Sequence, residues 1–362
     1  MSKRAKIAFA LIIIFAVSLF GIKIYLDQTY LSQYNREKVI GEDRFDTMKK
    51  ISERGWEKSD EAIIVSIHSV ADGTSVAPFA YQKNIPVFFS DLEGLNDTIK
   101  DELTRLGVKN VYLIGGKKVV TNDVEKEVKK MGITTERIGG RNGFETSLEL
   151  AKKLNELNPI SEVVFVNIKA GKPNGVSIAP AAARKNMPIL LQNKSDRKEI
   201  LKFLKENNIK KVYLTGSEDV FSEAFVKMLK DDKYGIKAEV VRLNGEDRYE
   251  TNKDIINEFY QTDKLDNIYV LRSGIYNYAD FLNALALSPI AARENTPILY
   301  SSDSLQKKEQ EFLEKNNIRD ITEVGFELIR PRIISEKAVS SISAIAIVVL
   351  WILALRRIIF KR

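Results

Sequence analysis

The chain has 362 residues, no cysteine, a single histidine and a net charge of +7. Its length accommodates two or three domains, while the absent cysteines exclude a disulfide framework and a thiolate metal site, and the lone His68 excludes a multi-histidine centre. The charge does not mark a nucleic-acid surface: Lys3, Arg4, Lys6, Lys23, Arg356, Arg357, Lys361 and Arg362 sit in the two terminal segments, and the stretch 27–337 is one charge below neutral.

Residues 1–26 come first. IAFALIIIFAVSLFGIKIYL (Ile7 to Leu26) follows a basic start and approaches the roughly 20 apolar residues that cross a bilayer. Lys23 near its outer end can snorkel. The segment reads as a cytoplasmic start and an uncleaved transmembrane helix. A cleaved signal peptide is the competing reading, and FGIKIYLDQ is a poor cleavage site for it.

Three phrases then recur at intervals of about a hundred residues. The first is GEDRFDT (Gly41 to Thr47), GRNGFET (Gly140 to Thr146) and GEDRYET (Gly245 to Thr251). The second is APFAYQKNIPVFFS, APAAARKNMPILLQ and SPIAARENTPILYS, each with two prolines eight residues apart. The third is VKNVYLIGG, IKKVYLTGS and IRDITEVGF. A period of this length is a small domain rather than a solenoid unit. Three modules are therefore expected, at 38–136, 137–241 and 242–334.

Within each module, strands and helices alternate, so the fold class is α/β. The opening phrase leads into a helix such as ETSLELAKKLNEL, with Leu148, Ala151 and Leu154 on one face. AIIVSI, VVFVNI and IYVLR read as buried strands. The Ala-rich segment carrying Pro78, Pro180 or Pro289 reads as a second helix, and the following PVFFS, PILLQ and PILYS as second strands. A third helix places Leu95, Ile99, Leu103 and Leu106 on one face. The third strand stops at Gly115 or Gly216, and a last helix and strand lead into the next phrase. Module 1 begins with its own strand at Lys38 to Ile40, whereas module 3 lacks a last strand. The N-terminal strand is therefore expected to complete module 3 and close the three modules into a pseudo-threefold ring.

The chain ends with AVSSISAIAIVVLWILAL (338–355) and the basic tail 356–362. With basic residues flanking both apolar segments, the positive-inside rule places both termini in the cytoplasm and everything between them outside. The expected product is a two-pass protein of the cell membrane. An exported domain without cysteine suits a bacterial envelope that does not rely on disulfides.

In the opening phrase, Asp or Asn followed three residues later by Asp or Glu is a helix-capping pattern. It occurs as Asp43/Asp46, Asn142/Glu145 and Asp247/Glu250. Phe45, Phe144 and Tyr249 read as core anchors. Arg44 and Arg248 are replaced by Gly143 in module 2, so the module folds without this arginine, and both a structural ion pair and a ligand contact stay open for it. Ligands of open α/β sheets gather at the carboxyl ends of strands. His68, Lys169, Lys172 and Arg272 follow the first strand of each module and are candidate anion contacts, with solvated loop charges as the alternative. No Walker loop, GxGxxG fingerprint, GxSxG elbow or HExxH pair is present, so no cofactor, metal or catalytic site is indicated.

The three phrases together resemble the type 2 cell-wall-binding repeat family of clostridial and other Gram-positive surface proteins, whose repeat looks like RIxGxDRYET, then DALSAAPLAA with PILL, then YIIGG. KVIGEDRFDT, RIGGRNGFET and RLNGEDRYET, with NGVSIAPAA and VYLIGG among the other matches, carry the resemblance over about residues 38–330. It implies three α/β modules in a pseudo-threefold arrangement that bind an anionic wall polymer without covalent attachment. The family's Asp-Arg pair falls on Asp43/Arg44 and Asp247/Arg248 and is replaced by Asn142/Gly143; its DALS aspartate falls on Asp72 but on Asn174 and Asn283 elsewhere. The expected function is a noncatalytic, membrane-anchored wall-binding protein with an anionic polymer as partner and no nucleic acid. A membrane-tethered scaffold for another envelope protein is the alternative, and an envelope enzyme on degraded repeats is a third.

Overall fold

Between Glu61 and Ser66 every residue after the first is buried, as in a strand covered on both faces by helices. Glu162–Asn167 and Asn267–Arg272 are likewise buried at every position but the first and last, and these three strands organise the molecule. The computed structural model describes residues 31–192, 197–275, 277 and 279–329. Among the described residues no helix is long and apolar enough to cross a membrane. The two segments expected to span it, 7–26 and 338–355, lie outside the described residues.

Strand β1 (Asn35–Val39) precedes repeat 1, which contains α1 (Arg44–Gly55), β2 (Glu61–Ser66), α2 (Val70–Lys83), β3 (Val87–Ser90), α3 (Asp97–Leu106), β4 (Asn110–Ile114), α4 (Asn122–Lys130) and β5 (Thr134–Ile138). Repeat 2 follows with α5 (Gly143–Leu157), β6 (Glu162–Asn167), α6 (Lys172–Arg184), β7 (Ile189–Gln192), α7 (Arg197–Glu206), β8 (Lys211–Thr215), α8 (Glu223–Lys230) and β9 (Glu239–Leu243). Repeat 3 has α9 (Arg248–Phe259), β10 (Asn267–Arg272), α10 (Asp280–Arg293), β11 (Ile298–Ser301), α11 (Lys307–Lys315) and β12 (Asp320–Val324). Each repeat forms one four-stranded parallel sheet, ordered β3-β2-β4-β5, β7-β6-β8-β9 and β11-β10-β12-β1.

The third sheet takes its last strand from the other end of the chain. β1 runs parallel to β12 in a register from Asn35 opposite Asp320 to Val39 opposite Val324. This closes the ring as expected, but the strand is Asn35–Val39 rather than Lys38 to Ile40. Its polar residues Arg36, Glu37 and Lys38 hid it, because an edge strand exposes one row of side chains and needs no continuous apolar run. Across the seam, Arg36 pairs with the fully buried Glu323, whose second oxygen accepts from the Leu328 backbone N–H at 2.9 Å.

The Ala-rich helices α2, α6 and α10 pack against one another pairwise at the centre. Each carries its proline inside the helix, where the ring removes a backbone donor and strains the preceding turn. Burial offsets that cost. From Phe281 to Ala292 every residue of α10 is buried, as is nearly all of α6 from Gly175 onward. The apolar core crosses repeat boundaries. Met48, Ile51 and the β2 to β4 residues share one cluster with Tyr269, Phe281 and Leu285, while Ile178 and Ile189 share another with Ile255, Ile268 and Leu299.

Arginines at the ends of two central helices clamp the following repeat. Arg184 donates to the Phe259 carbonyl at 2.7 Å and lies over the Tyr260 ring; Arg293 donates to the Gly55 carbonyl at 2.9 Å and lies over Trp56. Last-turn cations also suit the negative end of their own helix.

Because Glu323 is fully buried, removing its partner leaves an uncompensated carboxylate, a change that costs about 3–5 kcal/mol. Arg36→Ala is expected to lower the urea unfolding free energy of the whole chain by about 3 kcal/mol, and Glu323→Gln in the same chain to recover most of the loss. An unchanged midpoint for Arg36→Ala would show that the seam between the chain's two ends contributes nothing.

Candidate functional site

The opening phrase of each repeat is a turn locked to a helix N-terminus. Asp43 Oδ1 accepts from the Phe45 and Asp46 N–H groups at 2.8 Å, Asn142 Oδ1 from the Glu145 N–H at 2.9 Å, and Asp247 Oδ1 from the Tyr249 and Glu250 N–H groups at 2.8 Å. The carboxylate three residues later does not return to the cap residue, as a capping box requires. Asp46 accepts from Glu42 N and Glu145 from Arg141 N, one residue earlier, and Glu250 instead holds Lys253 and Lys308, both at 2.9 Å. These contacts hold all three carboxylates below the usual range: for Asp46 chiefly the Glu42 backbone, for Glu145 chiefly Arg141, and for Glu250 chiefly Lys308.

The repeated threonine, to which the sequence alone assigned no role, completes the lock. Thr47, Thr146 and Thr251 each accept from the backbone N–H of the phrase's glycine, at 3.0, 3.1 and 3.0 Å. Each hydroxyl donates in turn to the carbonyl of the capping residue. The glycine is required by proximity: a Cβ at Gly41 would lie 2.3 Å from Thr47 N, and one at Gly140 would lie 2.1 Å from Glu145 Cβ. Of the aromatic residues in the phrase, Phe144 is buried, whereas Phe45 and Tyr249 are only partly so.

The candidate cations do not converge on one surface free of partners. His68 Nε2 lies 3.0 Å from Asp91, and both are exposed. Arg272 is held by Asp303 at 2.8 Å and lies over the Phe326 ring. Arg248 donates to the Ser273 carbonyl at 2.8 Å, and Tyr249 OH lies 2.9 Å from Ser273 Oγ. Lys172 is half-buried at the start of α6. Arg44 and Lys169 are exposed, with no side-chain hydrogen bond or ion pair to a described residue. Ser69, next to His68, gives its hydroxyl proton to Asp72 rather than to the imidazole.

A cleft lies where repeat 1 meets repeat 2. In the sheet order β3-β2-β4-β5, the chain leaves β2 first to one side and then to the other, so the carboxyl ends of β2 and β4 form a topological switch point. The opening there is about 490 Å³; Ser69, Asp72, Gly116, Lys117 and Lys118 of repeat 1 face Arg141, Gly143 and Ile168 of repeat 2 across it. Lys117 and Lys118 are exposed and make no hydrogen bond or ion pair to a described residue. Arg141 is exposed and paired with Glu145 at 2.6 Å.

Asp72 stands at the cleft with 4 % of its surface exposed. Its Oδ2 accepts from Ser69 at 2.6 Å, whereas its Oδ1 is buried without a partner among the described residues. Burial pushes its pKa up, and the Ser69 hydrogen bond only partly opposes this. A Cβ placed on Gly143 would be 3.5 Å from Asp72 Oδ1, so the position that is arginine in the other repeats faces this carboxylate across the junction.

The other two junctions are built in the opposite sense. Helix α9, which Arg248 opens, packs against α6, which carries Asn174; helix α1, which Arg44 opens, packs against α10, which carries Asn283. Asn174 Nδ2 donates to the Thr215 carbonyl at 3.0 Å. Each junction therefore has one member of an Asp-Arg combination and a neutral residue in the other place. The sequence shows all six residues, but their pairing across repeats becomes visible only when the helices are packed.

The family model for cell wall binding domain 2 (CWB2) matches residues 38–125, 137–226 and 242–341. The chain belongs to that family, a binding module. It is 26 % identical over 300 residues to the N-acetylmuramoyl-L-alanine amidase LytC of Bacillus subtilis, a match covering 82 % of this chain and 56 % of LytC. Among solved structures it is similar to Cwp6 of Clostridium difficile, with a TM-score of 0.74 and 25 % identity over 82 % of this chain and 46 % of Cwp6. Cwp8 of the same organism gives a TM-score of 0.73 and 28 % identity over 81 % of this chain and 50 % of Cwp8. The chain thus spans about half the length of each of these relatives.

The buried, half-satisfied Asp72 gives a stability test with a definite sign. A carboxyl whose folded pKa is raised favours folding when protonated, and this contribution is lost as pH rises through the folded value. Asp72→Asn is therefore expected to raise the thermal midpoint at pH 7, and the gain to shrink towards zero near pH 4. A variant less stable than the parent at pH 7 would show that the ionised carboxylate is satisfied in the fold.

Proposed function

We propose that this CWB2 protein is a noncatalytic, membrane-anchored cell-surface protein whose repeats bind an anionic polymer of the cell wall, with the cleft between repeats 1 and 2 as the principal site. The observation that carries this reading is the exposed pair Lys117 and Lys118, without carboxylate partners among the described residues, at the switch point of the first sheet. Of the other candidate cations, His68 is engaged with Asp91 and Arg272 with Asp303, while Arg44 and Lys169 are exposed but do not line this cleft.

A cleft of about 490 Å³ has the dimensions of a small-ligand pocket, and admits a few units of a chain whose remainder runs over the surface. Lys117 and Lys118 supply charge, while Gly116 and Asn142 line the same opening. Exposed lysines contribute little individually, and salt screens them. Affinity therefore depends on several contacts to one polymer and falls with ionic strength. Segments 7–26 and 338–355 supply the membrane anchor in this proposal, with both termini cytoplasmic and the repeats outside.

The full chain is expected to cosediment with purified cell walls at low salt, to lose that binding after the anionic polymer is extracted, and to bind several-fold more weakly as Lys117→Glu/Lys118→Glu. Equal binding to intact and extracted walls, or binding to neither, would sink the polymer reading. Retention by a stoichiometric envelope protein without wall binding would replace it with a scaffold role.

A further inference from the structure

The cleft presents both signs of charge at different depths. Lys117 and Lys118 are exposed at its rim, whereas the only carboxylate lining it among the described residues is Asp72, buried to 4 % exposure with Oδ1 lacking a partner there. A simple polyanion gains at the rim but is repelled at the base. A buried charge is stable only when paired or hydrogen-bonded, and no described residue donates to this oxygen.

The position that faces Asp72 Oδ1 is Gly143, where an added Cβ would lie 3.5 Å away and where repeats 1 and 3 carry Arg44 and Arg248. Repeats 2 and 3 carry neutral Asn174 and Asn283 at the position equivalent to Asp72. The first junction alone therefore keeps the acid and omits the cation, and both positions line the cleft. Resting on the wall-polymer reading above, we propose that this cleft selects a zwitterionic polymer unit, with a primary ammonium group on Asp72 and a neighbouring phosphate or carboxylate on Lys117 and Lys118.

The geometry supports an ammonium rather than a metal ion. Among the described residues no cluster of three metal-ligating side chains exists, and one carboxylate oxygen with one hydroxyl neighbour does not make a divalent-cation cage. An ammonium group presents three donors, one of which the Asp72 oxygen can accept. The volume is shared by both charges, so one repeating unit carrying both fits better than two separate ligands.

The test uses the purified full chain, with anionic polymer extracted from walls as the probe, either untreated or N-acetylated so that its amines are neutral. Untreated polymer is expected to bind at least about tenfold more tightly, the scale of one hydrogen bond to a charged group. Gly143→Arg supplies the missing cation from the protein itself, and Asp72→Asn removes the charge; both are expected to abolish the preference between the two polymer forms. Thermal midpoints at or above the parent's establish that both variants fold. Equal affinity of the parent for the two polymer forms, or a preference that survives in both variants, overturns the proposal while leaving the wall-polymer reading standing. Failure of both forms to bind overturns both readings. A structure in which Lys117 or Lys118 folds inward onto Asp72 with untreated polymer bound also overturns it.

Discussion

Everything else in this molecule depends on the packing of α2, α6 and α10 about a common axis. Each is buried over most of its length, so each needs the other two to cover faces that its own sheet cannot reach. Their buried prolines make the dependence stronger. A helix with an interior proline is poor in isolation, and these three persist because burial of their apolar residues, worth about 1.5–3 kcal/mol for each large side chain, outweighs the broken backbone bond. A single repeat would expose an apolar helix of this kind to water.

The ring has a further consequence at its seams. Each central helix is also packed by the first helix of the following repeat, and at the first junction the capping phrase of repeat 2 meets the N-terminus of α2 at Ser69 and Asp72. The phrase thus serves two ends. Its glycine, capping residue and threonine build the turn within a repeat, while the position after the cap varies in its surroundings: Gly143 faces Asp72 of repeat 1, and Arg248 donates to the Ser273 carbonyl of its own repeat. That second position is free to change without loss of the cap, and it does so: arginine twice and glycine once.

The sequence carried the fold well because the relevant signals were local and repeated. The capping residues, the apolar strands and the Ala-rich helices each appear three times, and the absence of a last strand in repeat 3 pointed to closure by the N-terminus. Less was legible of the site. His68 and Arg272 looked available because Asp91 and Asp303 lie 23 and 31 residues away, and pairings at such distances leave no periodic trace. Thr47, Thr146 and Thr251 were visible as repeats, but their twofold hydrogen bonding arises only once the turn brings residue and glycine together. Asp72 and Gly143 were each recognised as departures between copies, yet they belong to different repeats, and only the packed helices reveal that one faces the other.

That pairing changes what three copies mean. Three similar surfaces would favour weak contacts multiplied along a polymer, with effective concentration supplying the affinity. The structure instead distributes charge unequally: two junctions pack a helix opened by arginine against one that carries asparagine, and one sets a buried aspartate opposite glycine. Unequal seams cannot all hold the same ligand group in the same way. On the proposed reading, the symmetric elements of the repeats maintain a rigid ring, and specificity resides at the one seam where that symmetry is broken. Rigidity matters there because a buried carboxylate discriminates between charged and neutral groups only while its surroundings cannot relax to solvate it. The ring supplies that constraint from both sides of the cleft.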